Sequence, residues 1–418
     1  MRFAIRAGLT VTTLVAMFAI APAARADCHG MPVASLSALA AQVGAGHSAC
    51  LAPGDYTGTV DLSNPSSRRV YVTQSDGVAI HGQIRIASGH IELAGLNVEN
   101  AAGAGIGGDC IRVPAIGAND IQIVGSDIGP CARDGIRMAY NQGQHDTAVV
   151  IDGNELHDLG FNACTCYMRG GLFQDNYVHD ISNDALDLWG DSNTVRHNVF
   201  RNLVANPSTN HNDVLQTWQV AGDPATGDPL TNLTFNRNII DTVSGPDSHG
   251  LMIRGGSVNH DIVVRSNLFR DIGSIGLLLD GTNDVTLLGN TFARAGGLDT
   301  VEWLAGASGT IDSNIFFDAA SVGTEPWYQD SASDPSDLYN LAWGGQLLVD
   351  EPTGVNADPL FADPDGTNGD RDDDFQIGDP ESPAIDHGDP AVTSRLDILG
   401  TPIQGSAMDD GAFEYAGG

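Results

Sequence analysis

The sequence predicts an all-β chain wound into a solenoid of short parallel strands, with an N-terminal cap and an acidic C-terminal extension. Three observations lead there. An asparagine before an apolar pair recurs at Asn154, Asn176, Asn198, Asn238, Asn267, Asn290 and Asn314. The steps are 22, 22, 40, 29, 23 and 24 residues, so the basal period is 22 to 24 with loop insertions. That is too short for a strand–helix–strand unit of roughly 30 residues or more. The strands between read I-x-I or V-x-L and favour β-branched residues. Glycine is abundant, 51 of 418 residues, and aromatics make up only 6%, which suits tight turns and slim side chains. The repeated asparagines are expected to stack at one turn and to hydrogen-bond along the solenoid rather than to act on a substrate.

Residues 1–26 read as a secretory signal peptide. Arg2 and Arg6 supply the positive start, Leu9 to Ile20 the apolar stretch, and Ala24-Arg25-Ala26 the cleavage site. No second long apolar run follows, so the expectation is a secreted or periplasmic protein without a membrane span. Residues 27–69 should cap the open end of the solenoid, as repeat folds require, with a short helix over Leu36 to Val43. Coils are expected over 70–320, interrupted by the largest insertion at 204–231, with His211 at its return. Residues 321–418 form the acidic extension. From Asp350 onward it holds 17 acids and two Arg, yet Phe361, Ile377, Ile385 and Phe413 should fold it back onto the coils. Export permits disulfides. Cys28–Cys50 and Cys110–Cys131 are the preferred pairs, and Cys164 and Cys166 read as core thiols.

All 19 basic residues are Arg, against 53 Asp and Glu, for a net charge of −34. Removing the three Arg of the signal leaves 16 against 53 acids, a net −37. Nucleic acid is excluded as a partner, because neutralising its phosphates needs clustered positive charge. Lysine bases and Schiff bases are excluded outright. Such a charge favours divalent cations and repels a polyanion unless something on the surface compensates.

A second repeat lies half a coil away. It is a six-residue strand reading polar, small, apolar, variable, apolar, variable. Its rungs begin at Asp109, Asp134, Asn162, Asp184, Asp213, His249, Ile275 and Asp299. Alternation turns the third and fifth positions inward, where Ile111/Val113, Cys164/Cys166 and Leu186/Leu188 stand. The other positions form outward columns with rungs ~4.8 Å apart. The first column holds Asp184, Asp213 and His249. The fourth holds Arg112, Arg137, Thr165, Asp187 and Gln216, and the sixth Tyr167, Trp189, Trp218 and Arg254. Stacked like charges oppose stability, so this face reads as a functional groove. Flat aromatics beside carboxylates suit sugar rings.

The coils, inward aliphatic pairs and asparagine turns resemble the right-handed parallel β-helix of the pectate-lyase-like superfamily over residues 70 to 320. Segments 356–361, 382–386 and 410–415 resemble the endings of exported bacterial β-helix proteins. The resemblance implies a groove for carbohydrate, in a superfamily of lyases, hydrolases, epimerases and adhesins. Asn183-Asp184, Asn212-Asp213 and His249-Gly250 are similar to successive pieces of the polygalacturonase pattern. N-T-D-G, the Asp-Asp pair and R-I-K are missing, and Arg254 is the nearest candidate for the arginine.

Hydrolysis needs two carboxylates flanking a glycosidic bond. Asp184 and Asp213 on adjacent rungs would stand ~5 Å apart, close enough to split into an acid and a base. His249 would tune the pair or hold a water, and Arg254 would fork a substrate carboxylate. Tyr167, Trp189, Trp218, Asp187, Gln216, His211 and Arg137 would line the groove. The expected function is thus cleavage of a uronate-containing polysaccharide, by hydrolysis first. The alternative is elimination, with Ca²⁺ on Asp184, Asp187 and Asp213 and Arg254, His249, His211 or Tyr167 as base. The third reading is a monomeric, non-catalytic surface or matrix binder. In the extension, Asp363, Asp365, Asp370, Asp372 and Asp374 have the spacing of a Ca²⁺ loop, with Asp374 where such loops place Glu.

Overall fold

The computed structural model describes residues 28–114, 117–139, 144–204, 211–218, 228–245, 247–255, 258–349, 351–364 and 374–415. The signal segment and most of the proposed Ca²⁺ loop lie outside these residues. The chain winds into coils of three strands. In one coil these are Leu172–Gln174, Tyr177–Ile181 and Leu186–Asp191. Thr194–Arg196 then opens the next coil, in parallel register with Leu172–Gln174. The strands stack into three parallel sheets. Sheet 1 runs from Met31–Val33 to Ser336–Leu338 and sheet 2 from Gly54–Leu62 to Val355–Asn356. Sheet 3 runs from Val78–Ile86 to Trp327–Gln329. The coils therefore continue past residue 320, and the strands before residue 70 already belong to the sheets. Among the described residues the helix Leu36–Gly44 lies at that end, with Leu39 and Val43 buried and the Ser35 hydroxyl accepting from the Ala38 N–H at 3.1 Å.

Alternation fills the interior with one face of each sheet. Phe173, Phe200, Phe235, Phe269, Phe292 and Phe316 form a continuous stack, with ring centres 4.8–6.4 Å apart. The asparagines occupy the tight turn from sheet 1 to sheet 2. The residue before each is left-handed, as at Asp175 (φ 53°), His197 (57°) and Arg237 (58°). Each Asn Nδ2 donates to the Oδ1 of the next at 2.9–3.1 Å, from Asn154 through an eighth member, Asn340. Glu351 closes the ladder, accepting from Asn340 N at 2.7 Å and Nδ2 at 3.1 Å. Burial pushes the Glu351 carboxyl up to about 7.

The described part of the extension lies against sheet 2, where Phe361, Phe375, Ile377 and Phe413 join Phe317 and Leu341 in a second apolar cluster. The buried Arg395 donates to Gly289 O (3.2 Å), Gly411 O (2.7 Å) and Glu414 Oε1 (2.8 Å). The Ala412 N–H donates to Thr291 Oγ1 at 2.9 Å. Gly411 has φ +84°, and a Cβ there would come within 2.7 Å of Thr291 Oγ1, so glycine lets the two segments approach.

Cys28–Cys50 and Cys110–Cys131 are bonded as expected. Cys164 and Cys166 are also bonded to each other rather than free thiols. Both point inward from one strand, and that places the sulfurs side by side. Among the described residues, no helix is long and apolar enough to cross a membrane.

Candidate active site

Sheet 3 carries the second repeat in the expected register. Ile111, Ile136, Cys164, Leu186, Leu215, Leu251, Leu277 and Val301 stand opposite one another in turn. Asp184, Asp213 and His249 therefore meet on three successive rungs. The Asp213 N–H donates to Asp184 Oδ1 at 2.8 Å, and the His249 N–H donates to Asp213 Oδ1 at 3.1 Å. His249 Nδ1 lies 2.6 Å from the same Asp213 oxygen. All three residues are buried, at 2%, 0% and 2% exposure. The carboxylates thus lie in a buried floor of sheet 3 instead of standing free on either side of a cleft.

His211 is the accessible member. Its side chain is 29% exposed, and Nε2 lies 4.0 Å from both Asp184 Oδ1 and Asp213 Oδ2. Gln216 Nε2 is 3.0 Å from His211 Nε2. An amide NH₂ only donates, so that ring nitrogen holds the lone pair and Nδ1 the proton. Asp213 Oδ2 is buried without a hydrogen-bond partner.

A polar network fixes the floor. Asn183 Nδ2 donates to Asp184 Oδ2 (3.0 Å) and Asn162 Oδ1 (2.7 Å), and Asn162 Nδ2 donates to Asp187 Oδ2 (2.5 Å). The Thr165 hydroxyl donates to Asp134 Oδ2 at 2.9 Å, and Arg137 Nη1 to the same oxygen at 2.7 Å. The Ser248 hydroxyl donates to Asn212 Oδ1. In sequence Asn162, Asn183, Asn212 and Thr165 stand only as members of the repeat pattern, and Ser248 does not stand out at all. The repeated Asn-Asp pair, at 183–184 and 212–213, was the available signal.

Burial, with the charges of Asp213 and Asp187, raises Asp184 well above the usual carboxylate range. Burial and the Asp134 charge push Asp187 up to about 8. Asp187 therefore keeps its proton near pH 7. Burial opposes charge on His249, but the hydrogen bond and charge of Asp213 outweigh it and raise its pKa.

The aromatic column departs from expectation. Tyr167 and Trp189 stack at 4.6 Å, and Trp218 meets Trp189 edge-on at 4.8 Å. Trp189 is 1% exposed and Tyr167 8%, so neither offers a face to a sugar, and only Trp218 stays half-buried. Tyr167 and Trp189 belong to the main apolar cluster and Trp218 packs against it, which alternation cannot foretell. Arg254 lies at the rim, 53% exposed, with Nε 3.2 Å from Asp280 Oδ2.

One donor atom from each of Asp184, His211 and Asp213 lies within 4.8 Å of the others. The set is imidazole plus carboxylate, which suits a transition metal better than Ca²⁺ with its six to eight oxygens. Asp187, expected in a Ca²⁺ set, is instead held by Asn162. In the extension, Asp363 pairs with Asp374 in a short antiparallel ribbon, while Asp365, Asp370 and Asp372 lie outside the described residues.

No protein-family model and no curated protein sequence matches this chain. Among solved structures, it is similar to the A-module of mannuronan C-5 epimerase AlgE6 of Azotobacter vinelandii. The TM-score is 0.55 at 16% identity, over 78% of this chain and 94% of that one. The AlgE4 A-module of the same organism gives 0.51 at 14% identity, over 79% and 98%. Pectate lyase Pel9A overlies 90% of each chain at 14% identity, with a TM-score of 0.47. The chain has the right-handed parallel β-helix fold that these proteins share.

Proposed function

We propose that the protein is an exported enzyme that acts on a uronate-containing polysaccharide lying along sheet 3, with His211 as the base. The observation that carries this reading is the position of His211 Nε2, 4.0 Å from the oxygens of Asp184 and Asp213 and bearing its lone pair. In an elimination, His211 Nε2 takes the proton on C5, beside the uronate carboxylate. The electron pair forms the C4–C5 double bond as the C4–O bond breaks, and the departing oxygen takes a proton from Asp184, whose carboxyl burial holds well above the usual range. Asp187, which keeps its proton near pH 7, supplies a hydrogen bond rather than repulsion to the substrate carboxylate. Gln216 releases His211 as substrate arrives. The three disulfides fit an oxidising compartment.

Hydrolysis is the second reading. It is favoured by Asp184 and Asp213 on adjacent rungs, the first of them raised well above the usual carboxylate range. A panel of polysaccharides given to the mature protein separates the outcomes. Elimination raises both reducing ends and the ultraviolet absorbance of unsaturated uronate, whereas hydrolysis raises reducing ends alone. Deuterium uptake at C5 without scission marks epimerisation, the activity named for the AlgE modules. Binding with none of these leaves a non-catalytic groove and rejects the enzyme reading.

A further inference from the structure

The charge of the chain poses a problem for any acidic polymer: a protein of net −34 should repel it. The fourth column of sheet 3 resolves this. Arg85 stands opposite Arg112, and Arg112 opposite Arg137, so three arginines occupy consecutive rungs of one outward column. The column continues through Thr165 to Asp187 and Gln216. Like charges in register oppose folding, so the stack needs a purpose beyond stability.

Each guanidinium is anchored by one acid. Arg85 Nη1 meets Asp61 at 2.8 Å, Arg112 Nη1 meets Asp109 at 2.6 Å and Arg137 Nη1 meets Asp134 at 2.7 Å. Asp109 and Asp134 are fully buried beneath the row. The arginine side chains are 25%, 23% and 27% exposed, nearly the same share each. Arg112 Nη1 also donates to Ile106 O at 3.4 Å, and Arg85 Nε is buried, but each guanidinium keeps its Nη2 donors clear of these pairings. Arg133, with Nε 3.6 Å from Asp134, adds a fourth cation beside the row. Beyond the His211 centre the same column turns apolar and acidic, with Met252, Leu278 and then Glu302.

We propose that Arg85, Arg112 and Arg137 form an anion track that grips successive acidic groups of the polysaccharide on one side of the reacting sugar. Rungs about 4.8 Å apart advance close to one sugar residue each. The enzyme then requires a run of acidic units leading up to His211 and sets no charge requirement beyond it. This rests on the proposed activity at His211, and the test separates the two.

The test uses uronate oligomers of increasing length with the full mature protein. For the wild type, KM falls with each added unit until the track is covered and then levels. Arg85 is farthest from the centre, and its partner Asp61 is 60% exposed, so Arg85→Gln carries little folding risk. It raises KM about 10-fold for long oligomers, the loss of one charge-assisted pair, and leaves short ones and kcat unchanged. The double variant Asp109→Asn with Arg112→Gln removes a buried pair together and shifts the break to shorter chains. An Arg85→Gln enzyme with unchanged KM at every length, or an equal rise at all lengths, overturns the track. If no oligomer is turned over yet anionic glycan retards the wild type and not Arg85→Gln in affinity electrophoresis, the activity is wrong and the track stands. If neither turnover nor retardation occurs, the track is wrong.

Discussion

Two ladders of polar side chains climb this molecule, and they differ in how completely they satisfy themselves. In the asparagine ladder, every Nδ2 from Asn154 to Asn314 finds the next Oδ1, and Asn340 ends on Glu351. In the groove ladder, Asp109 Oδ1, Asp134 Oδ1, Asp187 Oδ1 and Asp213 Oδ2 are buried without hydrogen-bond partners. A buried polar atom left unmade costs about 1–3 kcal/mol. The first ladder is finished by folding alone. The second is left with unmet valences that a substrate or a proton can meet. Repetition of a polar residue therefore does not mark function; incompleteness does.

The contrast breaks in measurable ways. The largest effect should come from the groove: His211→Ala should lower turnover about 10³-fold while leaving the melting temperature unchanged. Full activity in that variant, measured on the native polymer, would place the chemistry elsewhere. In the asparagine ladder the effects should reverse. Asn238→Ala strips partners from both Asn198 and Asn267 and should destabilise by about 2–4 kcal/mol, read from denaturant midpoints, with kcat per folded molecule preserved. Glu351→Ala cuts the ladder at its end, where only Asn340 loses partners. It should therefore cost roughly 1–2 kcal/mol. A loss as large as that of Asn238→Ala would mean that the cap carries the ladder.

The remaining effect concerns pH. Asp187 has a folded-state pKa of about 8, against an ordinary value near 4. The folded state thus binds the extra proton between those values, and stability falls as pH rises through that window. Asp187→Asn should raise stability at pH 8 and by much less at pH 4, the gap widening as pH rises between those values. Melting curves of both proteins across that range decide it; parallel curves would deny the burial of an unfavourable charge.

Much of this was legible from period alone. The register of the eight groove rungs followed from alternation plus one polar marker per strand, and the asparagine turn from its spacing. Cys164 and Cys166 were placed inward, though their bond went unread: two inward positions on one strand already bring the sulfurs together. Arg85 was missed because Gly82 replaces the polar marker on its rung, two residues before Ile84, the partner of Ile111. The burial of Tyr167 and Trp189 was beyond reach. Alternation says which side of a sheet a residue takes and not what later folds over that side. For the same reason the central place of His211, at the end of an insertion, had no periodic signal.

The C-terminal extension changes how such a chain can come apart. A bare solenoid has contacts only between adjacent coils and can fray from its end one coil at a time. Here Arg395 ties Gly289 to residues near the terminus across 106 positions, and Thr291 holds Ala412 across 121. The final coils cannot peel until those ties release. The extension therefore converts an open-ended zipper into a closed one. Proteases and heat should meet a single cooperative barrier at that end rather than a series of small steps.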